Sequence, residues 1–210
     1  YHHSICLGPR WSPDGSRIAF TTYLEGKPDI YMHSQVTHKR VAFPIYPNTT
    51  TTLTWSPDGR QVAFSSSRTG NQEIYMANAD GSNLRRLTYS LAVDISPVWN
   101  PKTGQQIAFV SDRGGAPQIY LMDSDGANVE RLTSGAGYAV APAWSPNGQL
   151  LAFTWRKEGS GFDLYVMDVA TRQTVQLTHN SGNNEHPAWA SDGRHLIFQS
   201  KRGGREQIWM

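Results

Sequence analysis

Apolar residues along this chain come in short runs, such as Val62-Ala63-Phe64, Ile107-Ala108-Phe109-Val110 and Ile119-Tyr120-Leu121. Each run is closed by a polar turn rich in Gly, Pro, Asn or Asp. Runs this short, bounded this way and rich in β-branched and aromatic residues, predict strands. No stretch sustains a helical period, and no apolar run approaches the ~20 residues of a membrane helix. Alternation is blurred within the runs, which predicts sheets covered on both faces.

The runs repeat. Trp11, Trp55, Trp99, Trp144 and Trp189 are spaced by 44, 44, 45 and 45 residues. Each opens a related phrase: WSPDG at 11–15 and 55–59, WNPKTG at 99–104, WSPNG at 144–148 and WASDG at 189–193. A phenylalanine follows in each copy (Phe20, Phe64, Phe109, Phe153, Phe198), then an aromatic triplet such as Ile74-Tyr75-Met76 or Ile208-Trp209-Met210. A repeat of ~40–45 residues that reads as four short strands is the signature of a propeller blade. The first strand is the Pro-x-Trp segment. Pro-Asp-Gly then turns the chain, Pro presetting φ and Gly accepting a positive one. A second strand such as 61–65, a Gly-containing turn, the triplet strand, an Asp-Gly turn (Asp80-Gly81, Asp125-Gly126) and a fourth strand (84–88, 129–133) complete the copy. The fold class is therefore all-β: a propeller of four-stranded antiparallel blades, with five repeats starting near residues 9, 53, 97, 142 and 187 of a single domain over 1–210. The first copy is degenerate, since residues 33–47 lack the Asp-Gly turn and the Leu-Thr ending.

The repeated residues have a structural task. Each Trp can bury ~150–250 Å² between blades, and each turn Asp can bond the backbone two residues on. Calcium would need several oxygens converging on one point, whereas the aspartate position becomes Lys102 or Asn147 in other copies. No metal or cofactor is expected. The formal charge of +2, with both signs interspersed, lacks the basic stripe of a nucleic-acid binder. The single cysteine, Cys6, can form neither an internal disulfide nor a thiolate cage. Catalytic motifs are missing: no Gly-x-Ser-x-Gly elbow, no His-Glu-x-x-His pair, and no glycine loop in a strand-to-helix setting. No catalytic residue is expected, and the chain reads as a non-enzyme.

A propeller offers its variable loops to partners. Strand order puts the loops joining one blade to the next on one face, together with the turns between second and third strands. The Pro-Asp-Gly and Asp-Gly turns fall on the other. The candidate binding residues are therefore His2, His3, Asn48, Thr49, Asp94, Ile95, Tyr138, Asn184, Glu185 and His186 from the inter-blade loops. Arg68, Arg113 and Arg202, with Arg156, come from the rim. Tyr and Arg are residue types that anchor interfaces.

The phrases PVWNPKTGQQIAFVSDRGGAPQIYLMDSDGANVERLT and PAWSPNGQLLAF resemble the WD-like propeller repeats of the TolB family, over nearly all 210 residues. Similar repeats occur in propellers of prolyl-oligopeptidase-type and tricorn-type serine peptidases, where they gate substrate access, and that alternative stays open at this point. The TolB resemblance implies a periplasmic, non-catalytic, protein-binding propeller of the Tol–Pal system, supporting outer-membrane integrity and cell division. Its implied partner is the peptidoglycan-associated lipoprotein Pal, with other Tol proteins meeting an N-terminal domain that this chain does not show. It implies neither a nucleic-acid partner nor membrane insertion. It also implies a six-bladed ring. Tyr1 aligns with Tyr89, just after a fourth strand, and Met210 with Met76, inside a third strand. The first and last copies are accordingly expected to leave a gap between them.

Overall fold

The computed structural model describes residues 6–23, 28–43 and 50–210. Among the described residues there are nineteen strands and no helix. The first blade is β1 (Cys6–Trp11), β2 (Arg17–Thr22), β3 (Asp29–Ser34) and β4 (Arg40–Ala42). The second is β5 (Thr50–Trp55), β6 (Gln61–Ser66), β7 (Glu73–Asn78) and β8 (Arg85–Arg86). The third is β9 (Asp94–Trp99), β10 (Gln106–Ser111), β11 (Gln118–Asp123) and β12 (Glu130–Arg131). The fourth is β13 (Tyr138–Trp144), β14 (Leu150–Arg156), β15 (Phe162–Asp168) and β16 (Thr174–Gln176). The fifth is β17 (Asn184–Trp189), β18 (Leu196–Ser200) and β19 (Gln207–Trp209). Each blade is an antiparallel meander in chain order; four sheets have four strands and the last has three.

The turn chemistry explains the first hairpin of each blade. In the second blade the Ser56 hydroxyl donates to Asp58 Oδ1 (2.6 Å), and the same carboxylate oxygen accepts the Arg60 N–H (3.0 Å). Asp14, Asn147 and Asp192 repeat the bond to the residue two ahead. Such a side chain mimics one arm of a backbone turn and makes the reversal local. In the tightest of these turns, a Cβ on Gly148 would lie 2.3 Å from Asn100 Oδ1 in the preceding blade. Only glycine admits that approach at its φ of +69°.

The core lies between blades rather than within one sheet. Phe64, Phe109 and Phe153 are fully buried, and the strands that carry them are buried along both faces. Ala19, Ile30 and Met32 of the first blade pack with Trp55, Val62 and Phe64 of the second, and the pattern recurs from blade to blade. The Trp series stitches neighbours together. The indole N–H of Trp55, Trp144 and Trp189 donates to the carbonyls of Arg10, Val98 and Ala143 in the preceding blade, at 3.1–3.2 Å. Trp99 instead bonds Gly104 O at 2.7 Å in its own longer turn. Trp11 is 60 % exposed, because no described segment packs on its side of the first blade. No strand of the first blade contacts a strand of the fifth.

One local expectation is modified, and the first copy shows how its altered sequence still makes a fourth strand. The fourth strands are shorter than 84–88 and 129–133. After Arg86, Leu87 N–H bonds Ile74 O and the chain leaves for the next blade. The degenerate first copy still forms its fourth strand: His38 supplies the positive φ (+53°), and Phe43 N–H bonds Ile30 O where Leu87 bonds Ile74 O.

Candidate protein-binding face

Hydrogen bonds place the loops on their faces. Asn71 Nδ2, in the β6–β7 turn, donates to the carbonyls of Ser90 and Ala92 in the next inter-blade loop. Gln118 Nε2 reaches Gly137 O at 2.8 Å, and Val93 N–H donates to Asp112 Oδ1 at 2.8 Å. Inter-blade loops and second-to-third-strand turns thus share one face. On the other, Ala79 N–H bonds Arg60 O and Ser124 N–H bonds Gln105 O, joining the two kinds of Asp-bearing turn.

The five inner strands surround a channel of about 460 Å³. Each skips a pairing register at the same point, and the bulged residue there has a left-handed backbone: Gly8, Thr52, Ser96, Ala141 and His186, with φ from +33° to +56°. Non-glycine residues seldom adopt this conformation, and it concentrates at functional sites. All five line the channel, as do Pro97, Pro142 and Pro187, which follow three of them. Composition alone did not single out these positions. The recurring Gly8-Pro9, Ser96-Pro97, Ala141-Pro142 and His186-Pro187 pairs were the available signal.

The expected binding residues divide into three groups. His2, His3, Asn48 and Thr49 lie outside the described residues. Tyr138 (45 % exposed), half-buried Glu185 and exposed His186 are open to a partner, while half-buried Ile95 packs against the cluster between the third and fourth blades. Asp94 and Asn184 are fully buried and occupied. Asp94 Oδ2 accepts from Arg113 at 2.8 Å. Asn184 Oδ1 accepts from Ser200 and Arg202, and its Nδ2 donates to Asp163 and Gly182 O.

The rim cations are stacked rather than free. Arg68 Cζ lies 4.7 Å from the Tyr75 ring centre, Arg113 Cζ 5.0 Å from Tyr120 and Arg202 Cζ 4.6 Å from Trp209. The Nε of each donates to a serine two residues back: Ser66, Ser111 and Ser200. In the fourth blade Lys157, not Arg156, takes this position, with Nζ 4.9 Å from Tyr165, because Lys157 is the residue four after Phe153, as Arg68, Arg113 and Arg202 are four after Phe64, Phe109 and Phe198. Burial lowers the pKa of Arg68 below the ordinary guanidinium value. These cations clamp each second turn onto its blade.

The opposite face holds carboxylates stabilised as anions. Hydrogen bonds from the Ser12 and Ser16 hydroxyls and the Ser16 N–H hold Asp14 at about 2. Asp58, Asp80, Asp168 and Asp192 are lowered by the same kind of bonding, from Ser56, Ser82, Thr171 N–H and Arg194 N–H respectively. Among the described residues no cluster of three His, Cys, Asp or Glu side chains is arranged to hold a metal.

Blades of this kind around a shared channel define a β-propeller with one variable and one uniform face. The family model described as the TolB beta propeller domain matches residues 2–139 and 134–210. The chain belongs to that family. The Tol-Pal system protein TolB of Bordetella pertussis is 45 % identical over 96 residues, covering 45 % of this chain and 22 % of the relative. The crystal structure of TolB from Acinetobacter baumannii superposes with a TM-score of 0.87 at 28 % identity, over 98 % of this chain and 51 % of that one. The chain thus spans about half the length of that TolB. A puromycin hydrolase structure matches with a TM-score of 0.67 at 16 % identity, over 93 % of this chain and 33 % of that one, which shows a shared fold alone.

Proposed function

We propose that the chain is the propeller part of a TolB protein and acts as a non-catalytic docking platform in the periplasm. On this reading it binds Pal through the loop face and supports outer-membrane integrity and cell division. Other Tol proteins would meet parts of the molecule outside these residues, and a sixth blade would complete the ring. The observation that carries the reading is the asymmetry of the two faces. One is a uniform set of bonded turns; the other gathers variable loops around a channel lined by strained backbone, which is where a rigid scaffold meets a partner. A non-catalytic role is supported by the recurring serines. Ser56 Oγ, for example, is bonded to Asp58 and to the Gln61 N–H, so it serves the turn rather than standing as a nucleophile. No helix among the described residues is long and apolar enough to cross a membrane.

The test is calorimetric titration with lipid-free Pal. Tyr138→Ala, Glu185→Arg and His186→Ala should each weaken binding without moving the thermal melt, whereas Asp80→Ala and Asp125→Ala should leave affinity unchanged. If only the second pair weakens binding, the partner sits on the other face. If the unaltered chain shows no heat of binding, the Pal reading fails.

A further inference from the structure

Among the described residues, the channel between the inner strands is lined by two titratable side chains, Arg10 and His186, and both are basic. The rest of its wall is uncharged, and Pro97, Pro142, Pro187, Val98 and Val140 make much of it apolar. No acidic residue occurs at 1–5 or 44–49, the stretches outside the description that lead into inner strands.

Both basic residues face the channel by their place in the repeat. Arg10 stands immediately before Trp11, as Val98 and Ala188 stand before Trp99 and Trp189, and all three line the channel. His186 is the left-handed residue of the fifth inner strand, as Gly8, Thr52, Ser96 and Ala141 are of the others, and these line it too.

Neither side chain is spent on the fold. Arg10 Nη1 donates to the carbonyl of the adjacent Pro9 at 3.2 Å, and among the described residues the guanidinium has no other hydrogen bond and no ion pair. The His186 backbone N–H donates to Thr154 Oγ1 at 3.2 Å, but its ring bonds none of the described residues. Both residues are exposed. The rim arginines differ, since Arg113 is stacked on Tyr120 and paired with buried Asp94.

A guanidinium and an imidazole thus share a concave site that contains no anion of its own. Guanidinium N–H groups form a fork that fits a carboxylate, and an imidazole offers an N–H donor in either protonation state. A cavity of about 460 Å³ is large enough for such a group, and the proline and valine walls suit the carbon stem that carries it.

We propose that the channel is a carboxylate site, filled by an Asp or Glu side chain of the protein docked on the loop face, with Arg10 and His186 as its donors. The proposal rests on the reading of that face as the docking face, and names the chemistry the partner must bring to its centre. A side chain is favoured over a free anion because docking on the surrounding loops holds the carboxylate at the channel at high effective concentration.

The test compares the full chain with its Arg10→Met and Arg10→Lys variants. All three melts should match, because the Arg10 side chain is exposed and bonded only to its neighbour. Against lipid-free Pal, Arg10→Met should bind about tenfold more weakly and with a shallower salt dependence, the scale of a charged hydrogen bond. Arg10→Lys should fall in between. Changing each Pal Asp and Glu in turn to its amide should find one whose loss adds nothing to that of Arg10→Met. Equal affinity of the parent and Arg10→Met, or losses that add at every Pal carboxylate, would overturn the site and leave the Pal reading standing. If the unaltered chain does not bind Pal, that reading falls, and NMR titration with N-acetylglutamate decides the site. A saturable shift of the His186 ring, absent with N-acetylglutamine and weakened by Arg10→Met, supports it. No saturable shift, or the same shift with inorganic phosphate, overturns it.

Discussion

Arg113 Nη2 donates to Asp94 Oδ2 at 2.8 Å, joining the second turn of the third blade to the first residue of its own inner strand. Both residues read from the sequence as surface contacts for a partner. In the structure Asp94 is fully buried, and Arg113 is stacked between that carboxylate and the rings of Phe109 and Tyr120. The fifth blade keeps the arrangement with a neutral acceptor, Asn184 to Arg202 at 3.1 Å.

That substitution within the repeat predicts how Asp94 tolerates change. Asp94→Asn should cost about 1 kcal/mol, since a hydrogen-bond acceptor remains. Asp94→Ala should cost about 3 kcal/mol, because it strips a partly buried guanidinium of its partner. Urea denaturation of the two variants reads the difference; equal losses would show that the acceptor contributes nothing.

The tryptophans predict a gradient along the chain. Trp99 is 6 % exposed and packs with Ile107, Phe109 and Leu87, so Trp99→Ala should cost about 3–5 kcal/mol. Trp11 is 60 % exposed, and Trp11→Ala in this chain should cost less than about 1 kcal/mol. Thermal melts of the two variants should therefore separate widely, and a Trp99→Ala melt that matched the parent would contradict the inter-blade packing.

The turn carboxylates predict the acid limb of stability. Asp14 is held at about 2 against an ordinary value of 3.8. A carboxyl lowered on folding contributes stability that is present above its unfolded value and is lost as pH falls through the folded one. The melting temperature should therefore decline between roughly pH 4 and pH 2. Asp14→Asn, which copies the residue found at Asn147, should keep the turn and flatten that decline. NMR titration of the Asp14 carboxyl checks the cause directly: a midpoint near 3.8 would mean that the Ser12 and Ser16 bonds do not persist in solution.

The sequence by itself determined the repeat, the number of copies, the strand order within each and the use of Trp, Phe and turn Asp as architecture. These follow from local chemistry and period: a Pro-Asp-Gly turn is readable wherever it stands, and five copies in register leave one class of fold. Strand order also told which loops share a face. Only the tertiary structure decided which residues of that face are free. Asp94, Asn184, Arg68, Arg113 and Arg202 look alike on paper to Tyr138 or Glu185. They are spent on bonds to residues eighteen or nineteen positions away, or on rings of a neighbouring strand. The left-handed bulges at Thr52, Ser96, Ala141 and His186 were equally hidden. Their φ runs against the preference of the residues themselves, so the recurring pairs with proline at Ser96, Ala141 and His186 mark the position without announcing its conformation. Exposure is a property of what does not pack nearby, and a chain reveals that only once its blades are assembled.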